Sequence, residues 1–129
     1  MKAFGYHKKE KLKSRTELQA IFTTGKSFSV FPLKVFFIEK DGTDTSVPVH
    51  AGVGVSSKHF KKAVDRNRIK RLLREAYRLE KQNLHEALAT QPKNISVFFL
   101  YLDKELPDYT LIRAKMKEGI EKLIKKINT

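Results

Sequence analysis

The 129-residue sequence predicts a mixed α+β fold with one domain over 1–129. Two segments alternate in side-chain character with period two, one near-continuous apolar run has strand length, and three further segments repeat apolar residues at helical intervals. Nine Phe and 40% hydrophobic residues can build a core, so the charge is carried by a folded domain rather than a disordered basic tail. Periodicity alone orders the elements α-β-β-α-β-α. The order becomes α-β-β-β-α-β-α if Val30 to Glu39 is joined by a further strand or bent in two.

Ser14-Arg15-Thr16-Glu17 has capping-box spacing, Leu18, Ile21 and Phe22 follow at helical intervals, and Gly25 can end the turn, predicting a helix over about 14–24. Val30 to Glu39 places Leu33, Val35 and Phe37 on one strand face and Lys34, Phe36 and Ile38 on the other. Asp41-Gly42-Thr43-Asp44 is a turn signal. Beyond it, Val49, Ala51, Val53 and Val55 alternate with His50, Gly52 and Gly54, which predicts a hairpin whose second strand has one nearly bare face. Strand glycines of this kind mark close approach by another backbone or a packed helix, or else a bulge.

A basic helix is expected next, from about Lys61 to Gln82. Gln91-Pro92-Lys93-Asn94 breaks the chain, and Ile95 to Leu102 reads as a strand. From Leu111 to Ile127, the residues Ile112, Met116, Ile120, Leu123 and Ile127 form one stripe of a closing helix.

The basic helix carries the strongest functional signal. At roughly 100° per residue, Arg66, Lys70, Arg71, Arg74 and Arg78 share an arc, while Ile69, Leu72, Leu73, Ala76 and Tyr77 lie opposite. Lys58 to Arg78 holds nine Lys/Arg against two acids, a net +7. Most helical charge runs are solvated faces balanced by acids one turn away, but here Arg66, Lys70, Arg74 and Arg78 repel one another by roughly a few tenths of a kcal/mol per pair. Five arginines between Arg66 and Arg78 offer planar forks that match phosphate oxygens, which points to a polyanion.

The formal net charge of +13 likewise favours nucleic acid over an anionic membrane surface. Absence of cysteine excludes disulfides and thiolate metal sites. The N-terminal residues contain no apolar signal-peptide core and no apolar run could span a bilayer, so a cytoplasmic protein without membrane association is expected.

At Arg66-Asn67-Arg68, followed by Lys70, Arg71 and Arg74, the chain closely resembles the bacterial ribonuclease P protein component. Lys11-Leu12, Phe22, Gly25, Val53, Val55, Lys58, Ala63 and Val64 also fall where that family has similar residues, so the resemblance covers nearly the whole chain. It implies a two-layer α/β sandwich of order α-β-β-β-α-β-α, in which the basic helix joins two parallel strands by a left-handed crossover. Such handedness is a rare exception among crossovers. The resemblance further implies a subunit that binds the catalytic RNA of ribonuclease P and the 5′ leader of precursor tRNA, assisting hydrolytic removal of the leader. Catalysis and its Mg²⁺ ions would belong chiefly to the RNA and substrate, with no obligate protein partner.

Residue by residue, the resemblance assigns Arg66, Asn67, Arg68, Lys70, Arg71 and Arg74 to RNA contact. The cations Lys58, Lys61, Lys62 and Arg78 extend that surface. Asn67 offers both a donor and an acceptor, its alternative role being a local backbone hydrogen bond. A second surface, between the first helix and the sheet, would hold the single-stranded leader, with Phe22 and Phe36 at its aromatic positions and Lys34 beside them; Leu18 and Phe37 are expected in the core. The sequence departs from the family where it has His50 in place of an Arg, Ser57-Lys58 in place of a Lys pair, and Leu18 in place of a frequent aromatic. His50 would make local affinity mildly pH-dependent.

No catalytic or metal-binding set is evident. Glu39, Asp41, Asp44, Asp103, Glu105 and Asp108 form no convergent carboxylate group, and His7, His50, His59 and His85 have no paired acid–base spacing. The protein alone is therefore expected to be inactive. The alternative by composition is a ribosomal or other structural RNA-binding protein.

Overall fold

A computed structural model describes residues 15–41, 49–56, 58–89 and 93–127. Its elements are α1 (Arg15–Thr24), β1 (Lys26–Val30), β2 (Leu33–Asp41), β3 (Val49–Val55), α2 (Ala63–Ala89), β4 (Lys93–Tyr101) and α3 (Tyr109–Ile127). This is the order α-β-β-β-α-β-α. The extra strand is β1, whose Phe28 and Val30 alternate with Ser27 and Ser29. Pro32 lacks a backbone donor and helps break β1 from β2 at the Phe31-Pro32 turn. The proposed cap at Ser14 and most of the Asp41–Asp44 turn lie outside the described residues.

The four strands are ordered β1-β2-β4-β3. β2 pairs antiparallel with β1 and β4, and β3 pairs in parallel with β4. The expected hairpin between β2 and β3 is thus not formed, because β4 lies between them. β4 places Ile95, Val97, Phe99 and Tyr101 on one face and Phe98 and Leu100 on the other, so a central position lets neighbours cover both faces. The turn signal marks a local reversal but does not choose the pairing partner. The parallel pair β3 and β4 is connected through α2, which spans 63–89, seven residues beyond the expected end at Gln82. Leu84 and Leu88 continue its apolar stripe and are buried.

The register sorts side chains into two layers. Leu33, Val35 and Phe37 align with Tyr101, Phe99 and Val97, and Ala51 and Val49 align with Val97 and Ile95. These residues pack with Ile69, Leu73, Tyr77 and Leu84 of α2 and with Ile112, Met116, Ile120 and Leu123 of α3 in one core. Phe37 joins this core as expected, whereas Leu18 is only half-buried. Burial of each large aliphatic side chain contributes about 1.5–3 kcal/mol, so this layer holds α2 and α3 against the sheet.

On the opposite face, α1 lies over β2 and β4. It ends at Gly25, whose N–H donates to Ile21 O at 3.1 Å. A β-carbon there would lie 2.7 Å from Phe37 O and still closer to Ile21 O, so glycine lets the chain turn directly from α1 into β1.

Candidate nucleic-acid interface

α2 begins at Ala63, after a short segment that follows the end of β3 at Val55. Ile69, Leu73, Ala76 and Tyr77 are fully buried, which fixes the rotation of the helix. Asn67, Arg68, Arg71 and Arg74 consequently face solvent, and Lys58, Lys61 and Lys62 are exposed in the segment leading into them. The side chain of Asn67 is exposed and makes no hydrogen bond among the described residues, so its amide is not spent on the helix start.

The buried arc is wider than expected, because α2 contacts both the sheet and α3. Arg66 and Lys70 lie on its flank and are half-buried. Arg66 Nη1 donates to Phe60 O and Lys61 O, each at 2.8 Å, so this arginine ties the entering loop to the first turn of α2. Arg78 is also engaged: its Nε donates to Glu75 Oε2 at 3.0 Å, and Nη2 reaches the other carboxylate oxygen. Hydrogen bonding from Arg78 lowers the Glu75 pKa and reciprocally raises that of Arg78. The most available cations of the face are therefore Arg68, Arg71 and Arg74 together with the three lysines.

A different set of residues meets beyond the sheet. Phe22 is 46% exposed, and its ring stands edge-on to Phe36 at 4.9 Å and to Phe98 at 5.3 Å between centroids. Phe36 and Phe98 are direct cross-strand partners. Lys34 Nζ lies 5.2 Å from the Phe36 centroid, within cation–π distance. Phe22, Phe36 and Lys34 thus come together as expected, with a third aromatic, Phe98, that periodicity alone had left inside an undifferentiated apolar run. Its register opposite Phe36 was the missing information.

The two strand glycines continue the same outer face, Gly52 opposite Phe98 and Gly54 opposite Leu100. A β-carbon on Gly54 would fall 2.9 Å from Phe98 Cε2 and closer to Cζ. The close approach is therefore by an aromatic ring, in place of the expected backbone or helix. His50 shares this face as the partner of Ser96, while Ser57 lies outside the described residues.

The two surfaces offer different chemistry. Guanidinium forks on α2 can neutralise and position phosphates. The half-exposed rings beyond the sheet offer π-faces and edges to unstacked bases, with Lys34 as a nearby cation. Among the described residues, no three His, Asp or Glu side chains gather to hold a metal ion, and no helix is long and apolar enough to cross a membrane.

Comparison with known proteins gives one consistent family. The family model for Ribonuclease P matches residues 6–127. The ribonuclease P protein component of Porphyromonas gingivalis is 37% identical over 118 residues, covering 91% of this chain and 85% of that relative. That of Dictyoglomus turgidum is 32% identical over 127 residues, covering 95% and 99%. Among solved structures, the RNase P protein from Thermotoga maritima superposes with a TM-score of 0.67 at 28% identity, covering 88% of this chain and 96% of that one.

Proposed function

The chain belongs to the ribonuclease P protein family, and from that premise we propose that it binds the enzyme's catalytic RNA through α2 and the precursor-tRNA leader through the aromatic cleft. The observation that carries this reading is the separation of two surfaces by the sheet. Arg68, Arg71 and Arg74 lie on the helical layer, whereas Phe22, Phe36 and Phe98 meet on the other face. One protein can therefore hold a structured RNA and a single strand without competition for the same residues.

In this reading, the arginines of α2 and Lys58, Lys61 and Lys62 neutralise catalytic-RNA phosphates and set the orientation of the protein. Asn67 adds a directional donor and acceptor within that row. In the cleft, a leader base packs against the aromatic trio, and Lys34 meets an adjacent phosphate. Each stacked base contributes roughly 1–3 kcal/mol, enough to favour substrate bearing a leader over leader-free product. Any Mg²⁺ would be held chiefly by RNA and substrate, where it would supply activation of water and stabilisation of the leaving oxygen. The protein's task is to position the strand, in the cytoplasm, without an obligate protein partner.

Reconstitution tests the reading directly. Catalytic RNA and precursor tRNA at low Mg²⁺ should yield mature 5′ ends only slowly, and adding this protein should accelerate cleavage, while protein alone cleaves nothing. Equal rates with and without protein, or cleavage by stringently purified protein alone, would overturn it.

A further inference from the structure

A groove of about 400 Å³ runs between α2 and α3, outside both surfaces described above, lined by Glu80, Tyr109, Thr110, Arg113, Ala114 and Lys117. Tyr109, Arg113 and Lys117 recur at four-residue intervals, which puts them on one stripe of α3. Ala114 keeps part of the wall low. Arg113 Nε donates to Glu80 Oε1 at 2.9 Å, and Nη1 approaches Tyr109 Oη at 3.4 Å. The Glu80 side chain is only 11% exposed while that of Arg113 is 40% exposed, so the carboxylate sits beneath the guanidinium rather than at the mouth.

We propose that this groove is a phosphate-binding subsite in which Arg113, Tyr109, Thr110 and Lys117 provide the donors. Arg113 is held in place by the Glu80 contact, and its Nη2 has no acceptor among the described residues. Because Tyr109 Oη accepts from Arg113, its own proton is available to a ligand. Thr110 and Lys117 are exposed at the rim. A fixed guanidinium with a hydroxyl and an ammonium nearby is suited to a tetrahedral oxyanion.

The acids around the groove leave this possible. Glu80 is matched by Arg113, and Glu75 on α2 is matched by Arg78. Asp108, preceding α3, accepts from Leu111 N–H at 2.8 Å. Glu121 lies one turn beyond Lys117 and is exposed to solvent, where its repulsion is screened. A purely structural tie between the helices would require only Arg113 and Glu80. It would not account for Tyr109 and Lys117 on the same stripe or for the open volume above them.

The phosphate has two possible sources, a phosphodiester of the bound RNA or a free phosphate or nucleotide, and the first rests on the reading of the chain as an RNA-binding subunit. The full chain is titrated with inorganic phosphate at constant ionic strength while the Thr110 amide and Arg113 Nε–H resonances are followed by NMR. Saturable shifts at both are expected, and they should disappear in Tyr109→Phe/Lys117→Ala, which leaves the Arg113 to Glu80 contact in place. In a second arm, the double variant should bind catalytic RNA about 5–10-fold more weakly, with a log–log salt slope shallower by roughly 0.7–0.9, the counterion equivalent of one cation.

Shifts with inorganic phosphate and unchanged RNA affinity would support the subsite and assign it to a free phosphate. Absence of saturable shifts together with unchanged RNA affinity would overturn it. The phosphate arm uses protein alone, so failure of the parent chain to bind catalytic RNA would refute the proposed function without deciding the groove.

Discussion

The Phe98 ring lies across Gly54 on the outer face of the sheet, with Cε2 only 2.9 Å from where a β-carbon on Gly54 would stand. The missing side chain gives the Phe98 ring room to reach over β3 while it also meets Phe22. A glycine in one strand thereby shapes an aromatic cleft formed by a helix and two other strands. Gly54→Val should push the ring out of this position and weaken affinity for leader-bearing precursor tRNA about tenfold, within the roughly 1–3 kcal/mol associated with one base stack. Unchanged leader affinity in a folded variant would show that Phe98 placement does not matter to the cleft.

Phe36→Ala and Phe22→Ala separate stacking from packing. Both should reduce affinity for precursor tRNA with a long leader by roughly 1–3 kcal/mol while affecting mature tRNA little. Phe22, being 46% exposed, should lower the melting temperature less than Phe36, which is flanked by neighbours on the sheet. Equal weakening for both tRNAs, with a large melting-temperature loss, would assign these rings to structural packing.

Among the cations of α2, Arg68, Arg71 and Arg74 face solvent, whereas Arg66 ties the entering loop. Arg68→Ala/Arg71→Ala/Arg74→Ala should retain the helical circular-dichroism signal and reduce the salt slope of catalytic-RNA binding by roughly two to three. Arg66→Ala should instead destabilise the fold by about 1 kcal/mol, because it removes donors from Phe60 O and Lys61 O. A parent-like slope in the triple variant would remove this face from the RNA contact. Unaltered urea stability in Arg66→Ala would show that its two hydrogen bonds contribute nothing net.

Tyr101 provides an alkaline test of the core. Its ring is buried, its hydroxyl donates to Glu105 O at 2.6 Å, and burial, with lesser contributions from Asp103 and Glu105, pushes its pKa up to about 12. Between the ordinary tyrosine value near 10 and about 12, the unfolded chain loses a proton that the folded chain retains. Folding stability should therefore fall across that window and be unaffected by this group below it. Urea midpoints measured from pH 9 to 12 should decline, and Tyr101→Phe should remove the part of the decline due to this hydroxyl.

Local sequence determined most of the elements and the basic face of α2, while the pairing of Phe22 with Phe36 in a cleft was legible only through the family resemblance. Ile69, Leu73 and Tyr77 oriented α2 through a helical repeat, and Lys34 and Phe36 shared a face because strand side chains alternate. Gly25 carried its turn signal in the chain itself. Tertiary structure decided the rest: β4 displaced the expected β2–β3 hairpin because its apolar residues needed cover on both faces, and that pairing brought Phe98 opposite Phe36. The course of the loop entering α2 placed Phe60 O and Lys61 O against Arg66 and turned it from a free cation into a tie. Packing of α2 against α3 brought Glu80 beneath Arg113, separated by 33 residues in sequence. Periodicity reports which side of an element is apolar, whereas long-range packing selects the neighbour and decides which polar groups remain exposed.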